Sequence, residues 1–118
     1  PIGARMPLYV GASGKILTAY ADPSTRDYIL ADPNWPENID QEQFVRNLHT
    51  IKKQGYATSI EEREVGTAAI SAPILNRQGE CVAALAVSGP SSRLTLEKMK
   101  QIAPQVLEAA DRMGKMLH

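Results

Sequence analysis

A single cysteine, Cys81, is all the thiol in this sequence of 118 residues. It cannot form an internal disulfide, so nothing in the thiol content points to an oxidising compartment. The two histidines, His49 and His118, do not stand at metal-ligand spacing, and no zinc constellation forms with one thiol. No metal or other cofactor is expected. Neither sign of charge prevails: Lys and Arg together number 13, as do Asp and Glu. Gripping DNA requires basic side chains that displace counterions, and the densest basic run is only Lys52-Lys53. No apolar run approaches the ~18 residues of a membrane helix, and Pro1 to Met6 lacks the apolar segment of a signal peptide. A cytoplasmic protein with no membrane partner is therefore expected. No serine, histidine and acid arrangement is visible, so no catalytic residue is assigned and an enzyme is not expected. The chain does not begin with methionine, and it reads as a fragment of a longer protein.

What is present is an ordinary globular composition, 43% hydrophobic, in a length that suits one domain. Ala12 to Tyr20 reads as a helix with Ser13 as candidate N-cap. Asp22-Pro23 restarts a helix that should stop near Asp32-Pro33. The stretch from Pro33 to Ile39 reads as a loop, in which Trp35 covers an edge. Asp40 caps a third helix, with Gln43 placed for a capping box and Gly55 to end it. Its Phe44, Val45, Leu48 and Ile51 recur at helical spacing. From Tyr56 the period changes to that of strands: Tyr56 to Ile60, Thr67 to Leu75 and Cys81 to Ser88. A long helix from about Thr95 to Leu117 follows, and Pro104 inside it should kink or break it. Helices, a strand meander and a terminal helix make an α+β fold with an antiparallel sheet. Three strands are few for such a sheet, and an N-terminal part outside this sequence is expected to add more.

The hairpin is the most informative stretch. A turn at Asn76 to Gly79 pairs Leu75 with Glu80, and then Thr67 with Ser88, Ala69 with Ala86, Ser71 with Ala84 and Pro73 with Val82. Alternation places these on one side of the sheet. The other side carries Ala68 with Val87, Ile70 with Leu85, Ala72 with Ala83 and Ile74 with Cys81. That second face is bulky and should pack under the C-terminal helix. The first is made of alanines and hydroxyls, which do not fill space. Another element of the chain, a partner or a ligand must occupy it, and Thr67, Ser71 and Ser88 would offer hydrogen bonds to a small polar molecule.

Three motifs invite sharper readings. Gly11-Ala12-Ser13-Gly14-Lys15 fails as a phosphate loop, because the glycines are too close and Ile16 replaces the magnesium-binding hydroxyl. It retains a helix N-terminus suited to an anion, or else a capped helix with a solvated Lys15. Glu61-Glu62-Arg63-Glu64 reads as a solvated charged connection. Ser88 to Thr95 is a hydroxyl-rich turn feeding a helix N-terminus, able to hold a carboxylate or simply to cap.

These segments, taken in order, resemble the IclR family of bacterial transcriptional regulators. The resemblance lies in Met6-Pro7-Leu8 with Ala12 to Lys15, in Gln54 to Ala57 with Glu61 to Gly66, and in Ile70 to Pro73 with Ala84 to Thr95. It runs from near residue 5 to the end. It implies a GAF-like effector-binding domain, an antiparallel sheet flanked by helices and incomplete on its N-terminal side. Residues 1–118 would form the C-terminal part of that domain, with the winged helix-turn-helix DNA-binding domain absent from this chain. It further implies a homodimer or homotetramer that senses a small organic acid, such as a keto, sugar or aromatic acid. DNA would be a partner only through the missing domain. By position, the family's effector pocket falls on Met6, Ala12, Ser13, Ser59, Thr67, Ala69, Ala86 and Ser88. Ser59 stands where some members carry an acid and Ala69 where some carry a cysteine, so the pocket is expected to be roomier and less charged than in keto-acid sensors. The alternative is an oligomerisation module whose small-residue face is filled by protein.

Overall fold

The computed structural model describes residues 11–62 and 64–117. Its elements are α1 (Ala12–Ala19), α2 (Pro23–Leu30), α3 (Gln41–Gln54), β1 (Ala57–Ile60), β2 (Thr67–Leu75), β3 (Cys81–Pro90) and α4 (Leu96–Lys115). The strands form one antiparallel sheet in the order β1-β2-β3. This is the expected α+β fold, with α4 on one face and α1, backed by α3, on the other.

Each helix starts where local chemistry permits. The Asp22 carboxylate accepts from the Thr25 N–H and Pro23 opens α2, as expected. Those bonds from Thr25 hold the Asp22 carboxyl below its ordinary range. Asp40 caps α3 by accepting from the Glu42 N–H. No capping box forms: the Gln43 side chain bonds instead to Asn47 and Arg46 along the exposed face. Gly55 ends α3 at φ 92°, a left-handed conformation that a Cβ would disfavour. The N-cap of α1 is Gly11, not Ser13; Ser13 lies inside the first turn, where its hydroxyl faces the sheet.

Helix α4 runs unbroken through Pro104, contrary to expectation. Pro104 and Lys100, whose carbonyl loses its helical donor, are both solvent-exposed, so water can replace the missing bond. The opposite side of α4 buries Met99, Ala103, Val106, Ala110 and Gly114. Leu96 and Met113, assigned to the same stripe from sequence, are nearly half exposed.

Hairpin pairing differs from expectation by two residues. Thr67 pairs with Pro90, Ala69 with Ser88, Ser71 with Ala86 and Pro73 with Ala84. One residue of the shift comes from the turn. There the Asn76 side-chain oxygen accepts from the Gln78 and Glu80 N–H groups, and Leu75 pairs with Cys81 rather than Glu80. The second comes from an irregularity between Ile74 and Leu75, across from Val82. A one-residue slip exchanges the faces, whereas two restore them. The expected face sets therefore survive along most of the ladder. Between the two slips they do not. Cys81 leaves the bulky face and packs with the α1 and α3 cluster beside Tyr20. Burial pushes its thiol up, and Tyr20 is raised by burial and by Cys81.

The bulky face packs under α4 as expected. Ala68, Ile70, Ala72 and Ile74 form one core with Met99, Ala103, Val106 and Ala110. On the small-residue face Ile16 of α1, Phe44, Leu48 and Ile51 of α3 and Ala57 of β1 form a second. Trp35 closes that core edge-on to Phe44, with ring centroids 5.2 Å apart, and its indole N–H donates to the Ile39 carbonyl at 2.7 Å.

Candidate effector pocket

The α1 core covers only part of the small-residue face. What remains open is a cavity of about 620 Å³. Cross-strand pairing explains its floor. Ser59 pairs with Ala69 and Ala69 with Ser88, giving one row of short side chains across all three strands. Ala57, Ser71 and Ala86 make the next row. The start of α1, Gly11 to Gly14, forms one wall, and Glu64 from the β1–β2 connection and Thr67 at the start of β2 contribute another.

Seven of the residues singled out from sequence, Ala12, Ser13, Ser59, Thr67, Ala69, Ala86 and Ser88, all line this cavity. The eighth, Met6, lies outside the described residues. Sequence reasoning missed Gly11, Gly14, Glu64 and Ala68. The glycines belong to the α1 start already noted. Glu64 had no separate signal, because three nearby glutamates look alike in sequence.

Hydrogen bonding divides the hydroxyls into two groups. Ser71 is wholly buried and donates to the Leu85 carbonyl at 3.0 Å. Its proton is thus committed, so in the 3.3 Å contact with Ser13 the Ser13 hydroxyl is the donor. Ser71 is therefore not a ligand contact, contrary to expectation; it ties α1 to the sheet. The hydroxyls of Ser59, Thr67 and Ser88 make no hydrogen bond within the described residues. At the start of α1 the first helical bond is Lys15 N–H to Gly11 carbonyl. The N–H groups of Ala12, Ser13 and Gly14 thus have no partner within the helix, and no side chain caps them.

The charged residues around the site also divide. Glu62 accepts from the Gly11 N–H at 3.1 Å and pairs with Lys15 at 2.7 Å. Lys15 also donates to the Thr58 carbonyl at 2.7 Å and is only 13% exposed, so it is not the solvated side chain expected. Glu61 accepts from the Gly66 N–H at 2.7 Å and from the Ser91 hydroxyl. The acidic connection is therefore not simply solvated: Glu61 (φ 56°) turns its backbone, and the carboxylates separate. The Ser88 to Thr95 turn also departs from its carboxylate-holding reading. β3 continues to Pro90, Thr95 caps α4 by accepting from the Lys98 N–H, and of this stretch only Ser88 lines the cavity. Among the described residues no group of His, Cys, Asp and Glu is placed to hold a metal ion. Nor is any described helix long and apolar enough to cross a membrane.

An antiparallel sheet between two helical layers, with a cavity on its small-residue side that mixes alanines with a few hydroxyls, suits the binding of a small molecule. Residues 1–115 match the family described as "Bacterial transcriptional regulator IclR C-terminal", and the chain belongs to that family. It is 35% identical to the Pca operon regulatory protein of Acinetobacter baylyi, over 98% of this chain and 44% of that protein. It is similar in structure to the inducer-binding domain of a PobR double mutant from Acinetobacter, solved with 3-hydroxybenzoic acid. There the TM-score is 0.84 at 26% identity, covering 98% of this chain and 69% of the other. The C-terminal domain of Escherichia coli KdgR superimposes with a TM-score of 0.80 at 29% identity, covering 95% and 71%. The chain spans less than half the length of two curated relatives it matches, 44% of the Acinetobacter baylyi protein and 46% of Escherichia coli KdgR. These relatives are transcriptional regulators, not enzymes.

Proposed function

We propose that this chain is the effector-sensing domain of a bacterial DNA-binding transcriptional regulator and that its effector is a small organic acid held in the cavity. One observation carries the reading: three segments distant in sequence place free hydroxyls and a helix N-terminus around one space of about 620 Å³. That volume falls within the range of small-ligand pockets. The N–H groups of Ala12, Ser13 and Gly14 face a developing positive potential at the helix start and receive the carboxylate. Ser59, Thr67 and Ser88 donate to the same group or to a second polar atom, while Ala69 and Ala86 leave room for the carbon skeleton. Ser13 contributes its main chain, since its hydroxyl is spent on Ser71. The family resemblance assigns Met6, which lies outside the described residues, to the same effector site. The relative solved with 3-hydroxybenzoic acid, at 26% identity, supports an acid of this kind.

Binding would shift a conformational equilibrium only by its differential contact with two states. The α1 start is the element on which such contacts fall. Through it the effector would alter the arrangement of subunits in a cytoplasmic homodimer or homotetramer. A winged helix-turn-helix domain of the full-length protein would then meet DNA differently. An oligomerisation module without a ligand would fill the small-residue face with protein, and a cavity of this size speaks for the sensor.

The test is a thermal-shift screen of keto, sugar and aromatic acids. A ligand that binds only the folded state raises the Tm by mass action. At least one acid should shift the native chain and fail to shift Ser88→Leu, whose larger side chain projects into the cavity. Equal shifts in both would place the site elsewhere; no shift from any acid would remove acid sensing.

A further inference from the structure

The cavity lining carries one ionisable side chain among the described residues, and it is negative: Glu64. The other carboxylates nearby are occupied, Glu62 with Gly11 and Lys15 and Glu61 with Gly66 and Ser91. The carboxylate of Glu64 has no hydrogen bond or ion pair among the described residues, and only its main-chain carbonyl is used, by the Thr67 N–H. Lys15, the cation on α1, is turned onto Glu62 and Thr58 and does not line the cavity. An acid that enters therefore meets neutral donors for one carboxylate and, in the same space, a fixed negative charge.

We infer that Glu64 is a specificity-determining residue that restricts the effector to monocarboxylates, with preference for those bearing a hydrogen-bond donor such as a hydroxyl or amino group, and that it rejects dicarboxylates. This rests on the acid-sensing reading above. A second carboxylate on the ligand brings two like charges into one partly desolvated site, which is unfavourable. A hydroxyl or amino group in the same place can donate to the Glu64 oxygens, which have no partner among the described residues. Glu64 is itself exposed, so solvent and salt screen the effect and the discrimination is moderate.

Calorimetric titrations with matched ligands test this. The aromatic set is benzoate, 3-hydroxybenzoate and benzene-1,3-dicarboxylate; the aliphatic set is propionate, lactate and succinate. In whichever set binds, the hydroxy acid should bind most tightly and the dicarboxylate roughly tenfold more weakly than the plain acid, a difference of about 1.4 kcal/mol. Glu64→Gln, a change on an exposed loop, should bring the dicarboxylate to within about twofold of the plain acid, at the scale of a removed charge repulsion. A dicarboxylate that matches the plain acid in the native chain, or a ratio unchanged by Glu64→Gln, would overturn the inference while leaving acid sensing intact. Failure of every acid in both sets, together with the keto and sugar acids of the thermal-shift screen, would overturn both.

Discussion

The two faces of the central sheet are made by the same strands yet are finished in opposite ways. Under α4, Ile70 and Met99 have no exposed surface, and Ala68 and Ala110 have 1% each. Toward α1, Ala69 and Thr67 stay half-buried while Ala86 and Ser88 are exposed. Burial of aliphatic surface on the first face drives folding at roughly 25 cal/mol per Å². On the second, residues too small to fill the space leave a cavity, and the lost contacts are lost stability. The comparison teaches that one hairpin can separate the two tasks: the α4 face anchors the fold so that the α1 face can remain open.

Changes at the α4 layer should break that division most severely. A Cβ on Gly114 would lie 2.2 Å from the Leu75 carbonyl oxygen, a main-chain atom that cannot step aside alone. Gly114→Val should cost roughly 4 kcal/mol or abolish the fold, read by denaturant titration. Next come matched substitutions on the two faces. Met99→Ala should cost about 3 kcal/mol through an unfilled core cavity. Ala69→Leu, which adds volume where space is already open, should cost less than about 1 kcal/mol while weakening effector binding at least about tenfold. Equal losses of stability at the two sites would mean that the α1 face is packed after all.

The smallest effect concerns Cys81 and Tyr20 at the margin of the α1 core. Each has its folded pKa raised, Cys81 by burial and Tyr20 by burial and then by Cys81. A raised folded pKa gives stability that is complete below the unfolded value and is lost as pH rises through the folded one. Stability should therefore decline in the alkaline range above ordinary thiol ionisation, and Cys81→Ala should flatten the decline. A pH profile unchanged by Cys81→Ala would remove the thiol from this account.

Much of the site was legible because strand alternation is a strict rule. Thr67, Ala69, Ala86 and Ser88 share a face whether the hairpin register is as expected or two residues away. Cys81 was misplaced because a turn of another length and a local irregularity shift parity between them, and neither has a strong signature. Asp22, Asp40 and Gly55 were readable because capping is a local interaction between near neighbours. Ser13 was not, because its partner Ser71 is 58 residues away and faces it only after folding.

By itself the sequence determined the helical and strand periods, the helix ends set by Asp22, Asp40 and Gly55, and the contrast between an aliphatic and a small-residue face, since each depends on neighbours a few positions apart. Only the tertiary structure decided that Ser71 is spent on holding α1, that Glu62 takes Lys15 out of the cavity, and that Glu64, alone among the described residues, leaves its charge there. Those outcomes depend on which distant groups come within hydrogen-bonding reach, and identical side chains in one short run can meet different partners once the backbone turns.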